Sequence, residues 1–109
     1  MEKVRSFKLR NNGGFVARLH VFKLLDGTWK NITPPSVRRD ITLGAERTID
    51  LQNIPELSPG EKVKLKAEVV LGKNRVANEE FIYDPAGPTV VYEIVGTTLS
   101  PKLRLSRRN

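Results

Sequence analysis

The chain has 109 residues, one domain's worth, with no cysteine and a formal net charge of +7. Without cysteine there is no disulfide framework, no thiolate nucleophile and no cysteine–zinc site, which fits a reducing, cytoplasmic setting. No apolar run reaches the roughly 20 residues that cross a bilayer, and the opening MEKVRSFKLR has no secretory apolar core.

The first expected strand, 3–10, runs into the polar, glycine-rich NNGG at 11–14. The next, 15–25, alternates Phe15, Ala17, Leu19 and Val21 with Val16, Arg18, His20 and Phe22, which places the two sets on opposite faces. Asp26-Gly27 then predicts a tight hairpin into 28–32. TPPS at 33–36 breaks the chain before expected strands 37–42 and 46–51, which LGAE at 43–46 separates. After SPGE at 58–61 comes the clearest alternation of all: Val63, Leu65, Ala67, Val69 and Leu71 against Lys62, Lys64, Lys66, Glu68 and Val70. LGKN at 71–74 and DPAGP at 84–88 bracket an expected strand at 76–83; strands 89–97 and 102–106 follow. No stretch combines helical periodicity with caps. The spacing of turns predicts an all-β fold, a single-domain antiparallel β-sandwich of about 7–9 strands, with a small closed barrel as the alternative. The domain is expected over 1–106, with 107–109 as a basic tail.

Four segments carry a resemblance: VRSFKLRNNGGFVARLHV, TIDL at 48–51, KLKAEVVLGKNRVANEEFIYDP at 64–85 and YEIVGTTLSPKLRL at 92–105. Together they resemble the small β-sandwich proteins up-regulated in long-lived nematode insulin-signalling mutants, a fold distantly similar to aegerolysin-type cytolysins. That resemblance implies a cytosolic β-sandwich able to dimerise, without known catalytic activity. It supplies no active-site motif, and the proline-rich 30–44 region departs from the family pattern.

The catalytic and metal readings find little to stand on. His20 is the sole histidine, with no second ligand at metal spacing and no acid nearer in sequence than Asp26, so a half-exposed structural position on a sheet face is expected. Glu79 and Glu80 are adjacent and point to opposite faces of a strand, so they form no paired-carboxylate site by themselves. Asp50 and Asp84 read as turn formers, and the glycines of NNGG serve backbone geometry rather than a phosphate loop. The expectation is a protein that is not an enzyme and needs no cofactor or metal.

Binding surfaces are better represented. Val16, Phe22, Leu24, Val70, Val91 and Val95 oppose the main core sets, so Val16, Phe22, Leu24, Val91 and Val95 are the candidate self-association face of a dimer, or of a pairing with a related β-sandwich. The charge is concentrated at the ends. Lys3, Arg5, Lys8 and Arg10 face only Glu2 in 1–10; Lys102, Arg104, Arg107 and Arg108 face no acid in 99–109; the remainder is neutral. If both ends lie in one sheet they form a basic stripe. Trp29, Lys30, Arg38, Arg39, Lys102, Arg104, Arg107 and Arg108 are then the candidate contacts to an anionic lipid surface, with Trp29 as the apolar anchor. Lys62, Lys64 and Lys66, about 6.6 Å apart along one strand face, suit phosphates, but the aromatics fit core positions, so a solvated face is favoured. Self-association is the leading function, membrane binding the alternative, and nucleic-acid binding ranks third.

Overall fold

The structure is a computed structural model describing residues 1–109. Ten strands form two sheets: β1 (Lys3–Val4), β2 (Ser6–Asn11), β3 (Ala17–Leu25), β4 (Thr28–Asn31), β5 (Glu46–Asp50), β6 (Lys62–Val69), β7 (Arg75–Val76), β8 (Phe81–Tyr83), β9 (Thr89–Thr97) and β10 (Ser100–Arg108). The first sheet runs β1-β8-β6-β3-β4, with β7 also paired to β6; the second runs β10-β9-β2-β5. The all-β sandwich is as expected. Its sheets, however, are mixed: β1 lies parallel to β8 and β2 lies parallel to β9, a departure from the purely antiparallel expectation.

The period-two residues supply the core. Phe7 and Leu9 of β2, Leu19 and Val21 of β3, Leu65 and Ala67 of β6, and Tyr92 and Ile94 of β9 are all buried between the sheets. Phe7 packs its ring 5.8 Å from Phe81 and 6.3 Å from Tyr92, tilted against both. At Asp26-Gly27 the hairpin forms as predicted, with Leu25 opposite Thr28 and φ of 51° and 80° at the two turn residues.

Four expected elements change. Strand 3–10 divides at Arg5, which carries the chain from the first sheet into the second. Region 37–42 is not a strand: Pro34 and Pro35 lack N–H donors and lead into a 3₁₀ turn at Pro35–Val37. Only Ile41 pairs there, exchanging backbone hydrogen bonds with Ala17. Region 76–83 divides into β7 and β8. The basic tail, 107–109, belongs to the sheet: β10 continues through Arg108 after a register shift, and Asn109 exchanges backbone hydrogen bonds of 2.7 and 2.8 Å with Thr89.

NNGG joins the two sheets. Asn11 is fully buried; its Nδ2 donates to the carbonyls of Phe15 at 2.7 Å and Ile41 at 2.8 Å, and its Oδ1 accepts from the Gly13 N–H at 2.9 Å. One amide thereby satisfies the backbone of two crossing loops, which leaves no buried polar group unpaired there. Gly13 lies flat against the Phe15 ring, and a Cβ there would sit 2.3 Å from it. The NNGG stretch is an inter-sheet crossing built for backbone geometry.

Candidate functional site

One end of the sandwich gathers the loops that follow β2, precede β5, follow β6 and join β9 to β10. Backbone hydrogen bonds tie them together: Gly14 N–H to Gly96 O at 2.9 Å, Lys73 N–H to Thr98 O at 3.0 Å and Gly44 N–H to Asn11 O at 2.7 Å. Each of three loop tips carries a leucine in solvent: Leu43 is 67%, Leu71 96% and Leu99 74% exposed. Leu71 also adopts a φ of 60°, the left-handed region that a side-chain-bearing residue enters at a cost. Lys73 and Lys102, neither in an ion pair, lie on the loop after β6 and at the start of β10. Isolated exposed leucines are common; here three stand on loops bonded to one another at one end of the sandwich, one of them at a positive φ.

The outer face of the first sheet is different. Its register sets Phe22 opposite Lys64, His20 opposite Lys66, Arg18 opposite Glu68, and Leu24 opposite Trp29. The Lys64 ammonium sits 4.1 Å from the centre of the Trp29 ring, and that of Lys66 lies 5.6 Å from Phe22. Glu68 accepts from His20 Nε2 at 2.7 Å and from Arg18 at 3.4 Å, and the hydrogen bond from His20 holds its carboxyl below the usual range. Asn31 Nδ2 lies 3.1 Å from His20 Nδ1. His20 is on the expected sheet face, but only 9% exposed, and the acid that engages it comes from β6 rather than from the nearby Asp26.

The second sheet places β10 and β2 on either side of β9, so Lys8, Arg10, Lys102, Arg104 and Arg107 do share one outer face. Much of the stripe is neutralised locally. Lys8 and Arg10 both lie 3.8 Å from Glu46, and Arg104 lies 2.6 Å from Glu93. The bonds from Arg104 and then Asn12 hold the Glu93 carboxyl below its ordinary range. Arg108 turns away to Glu2, at 2.6 Å, and Lys3 pairs with Asp84 at 3.4 Å.

Two expected groupings do not assemble. Phe22 and Leu24 lie on the outer face of the first sheet, whereas Val91 and Val95 lie on that of the second. Val16 precedes β3, its carbonyl accepting from the Val70 N–H at 2.9 Å. The five residues therefore form no single self-association face, and Val91, only 5% exposed, is already covered. The anionic-contact set also divides. Trp29 and Lys30 lie on edge strand β4, Arg38 and Arg39 follow the 3₁₀ turn, and Lys102, Arg104 and Arg107 belong to the other sheet. Trp29 is about 23 Å along the sheet from the leucine-bearing end, from seven residues of strand rise. Arg38 is engaged at home, its Nε donating to Thr33 O at 2.9 Å.

The Tyr92 hydroxyl donates to Glu79 at 2.8 Å, and burial, reinforced by Glu79, pushes its pKa well above the ordinary value. That keeps it a neutral hydrogen-bond donor beside the core.

No family model and no curated protein matches the chain. Solved structures do. A Gram-negative toxin superposes with a TM-score of 0.56 at 20% identity, over 93% of this chain and 22% of that one. Intermedilysin, solved in complex with human CD59, gives 0.55 at 18% identity, over 93% and 23%. The isolated membrane-binding domain of pneumolysin gives 0.51 at 18% identity, over 95% of this chain and 96% of that domain. The chain thus spans under a quarter of the whole toxins and nearly all of the excised domain. The likeness is one of fold alone, shared with a β-sandwich domain of these toxins.

Proposed function

We propose that this protein is a non-catalytic module that docks on a membrane surface through the end bearing Leu43, Leu71 and Leu99. The observation that carries the reading is the exposure of these three leucines on loops bonded to one another. Leaving them in water forgoes the burial of three large apolar side chains, about 1.5–3 kcal/mol each when fully buried. A headgroup–acyl boundary supplies that burial. Lys73 and Lys102 add attraction to an anionic leaflet, such as the cytoplasmic one. The fold shared with the membrane-binding domain of pneumolysin supports the same reading. Self-association through one sheet face has weaker support, because its residues are divided between two faces. Kinship with the nematode β-sandwich proteins is likewise a proposal, resting on the four resembling segments.

The test is co-sedimentation with phosphatidylcholine vesicles, with and without phosphatidylserine. Binding is expected to both, stronger with phosphatidylserine and weaker in salt. Leu71→Ser should weaken it about tenfold, and the triple serine variant at 43, 71 and 99 should abolish it. The substituted side chains are exposed, so the fold stays intact. Trp29→Ala should leave vesicle binding unchanged. Undiminished binding by the triple variant would overturn the assignment.

A further inference from the structure

We propose that the outer face of the first sheet is a binding track for single-stranded nucleic acid. Lys62, Lys64 and Lys66 project from alternate positions of β6, about 6.6 Å apart, a spacing that follows successive phosphates of an extended strand. None of the three pairs with a carboxylate. Unpaired lysines alone would read as a solvated face. Here two of them rest on the half-buried aromatic rings of Trp29 and Phe22, which stand on neighbouring strands of the same face. A cationic row beside ring faces is the combination that holds a single strand: charge tracks the backbone while unpaired bases stack. Two carboxylates at this surface are engaged elsewhere, Glu68 by His20 and Arg18 and, at the margin, Asp84 by Lys3, while Glu80, exposed and in no ion pair, precedes β8 beside the row.

Other polyanions fit less well. A duplex keeps its bases stacked inside and offers no ring to Trp29 or Phe22. A sulfated polysaccharide matches the charge but has no base to stack. A lipid surface would use the loop end, and this face runs along the strands away from that end. The inference is independent of the membrane reading.

Trp29 is the only tryptophan, so its fluorescence reports directly on this face. Titration with a short oligothymidylate at low salt should quench it saturably. Three phosphate contacts give log K against log salt a slope of about −2. Changing Lys62, Lys64 and Lys66 together to alanine should remove that slope and lower affinity more than tenfold. These side chains make no ion pair, so circular dichroism should be unchanged. Trp29→Ala, followed by anisotropy of a labelled oligonucleotide, should cost about fivefold or more through lost stacking. Three results would each overturn the proposal: no quenching; wild-type affinity in the triple-lysine variant; or heparin binding as tightly as the oligonucleotide, with Trp29→Ala neutral for both. The last would mark attraction by charge alone.

Discussion

The two outer faces of the sandwich both carry rows of cationic side chains and treat them in opposite ways. On the second sheet Lys8, Arg10 and Arg104 lie within 4 Å of Glu46 or Glu93, leaving Lys102 and Arg107 unpaired. On the first sheet Lys62, Lys64 and Lys66 have no acidic partner, and two of them lie over aromatic rings. Along the sequence the excess charge belongs to the two ends and the middle is neutral. Folding redistributes it. Glu46, Asp84 and Glu93 come from the middle and pair with Lys8, Arg10, Lys3 and Arg104 from the ends. Lys62, Lys64 and Lys66 of the middle are then left over, whereas Lys23 and Lys30 pair with Glu61 and Glu56. A linear charge count thus locates charges, but pairing decides which of them a ligand can use.

The largest expected effect sets the faces directly against each other. Alanine at Lys62, Lys64 and Lys66 removes three cations with no internal partner, and oligonucleotide affinity should fall more than tenfold. Alanine at Lys102, Arg104 and Arg107 removes the same formal charge from the other sheet. There affinity should change less than about twofold, because Arg104 is already engaged and no ring stands beside the others. Fluorescence titration of both variants at one salt concentration decides it. Equal losses would mean that net charge, not the face, governs binding.

Much of the frame is legible in the sequence. The alternation of Val63, Leu65, Ala67 and Val69 with lysines identifies β6 and both of its faces, and Asp26-Gly27 marks the β3–β4 hairpin. Parallel pairing of β2 with β9 is not legible, since local alternation does not say which distant strand is the neighbour. The same limit hides the aromatic–lysine face. Phe22 and Lys64 are far apart in sequence and become cross-strand partners only through the β3–β6 register. Alternation alone therefore groups Phe22 with the wrong companions, Val91 and Val95, which share its pattern but not its sheet. The leucine tips have a signal that turn chemistry masks. Leu43-Gly44 and Leu71-Gly72 place an apolar residue beside a turn glycine, where a polar one is usual. Region 37–42 misleads because its β-prone residues follow two prolines, which favour a 3₁₀ turn over a ladder.

A second test compares the carboxylates that serve the two faces. Glu68 engages His20, which is 9% exposed, and Arg18. Glu68→Ala leaves a nearly buried ring nitrogen without its partner and should cost about 1–2 kcal/mol of stability. Glu46→Ala removes two 3.8 Å contacts between largely solvated groups and should cost about 0.5 kcal/mol or less. Urea denaturation with unchanged m-values measures both. Equal costs would show that the His20–Glu68 pair is an ordinary surface contact.

The smallest effect is expected from acid, and it should erase the contrast between the faces. Four carboxylates titrate below their ordinary range in the folded chain. Glu61 is held down chiefly by the Ser58 N–H, Glu68 by His20, Asp84 by the Ala86 N–H, and Glu93 by Arg104. A depressed folded value means that the unfolded chain takes up its proton first as pH falls. Each group's stabilisation is therefore complete above the unfolded value, about pH 4, and is lost as pH drops through the folded one. Stability should be flat from neutrality to about pH 5 and decline gradually below about pH 4, because each group is partly solvated and contributes little alone. As Glu93 loses its charge, Arg104 loses its partner, while the lysine row on the first sheet had no such partner to lose. Oligonucleotide affinity of the triple variant lacking Lys62, Lys64 and Lys66 should then rise at acid pH, as the second sheet gains usable charge. A variant that remained as weak at low pH as at neutrality would show that the ion pairs of the second sheet are not what keeps its cations from binding.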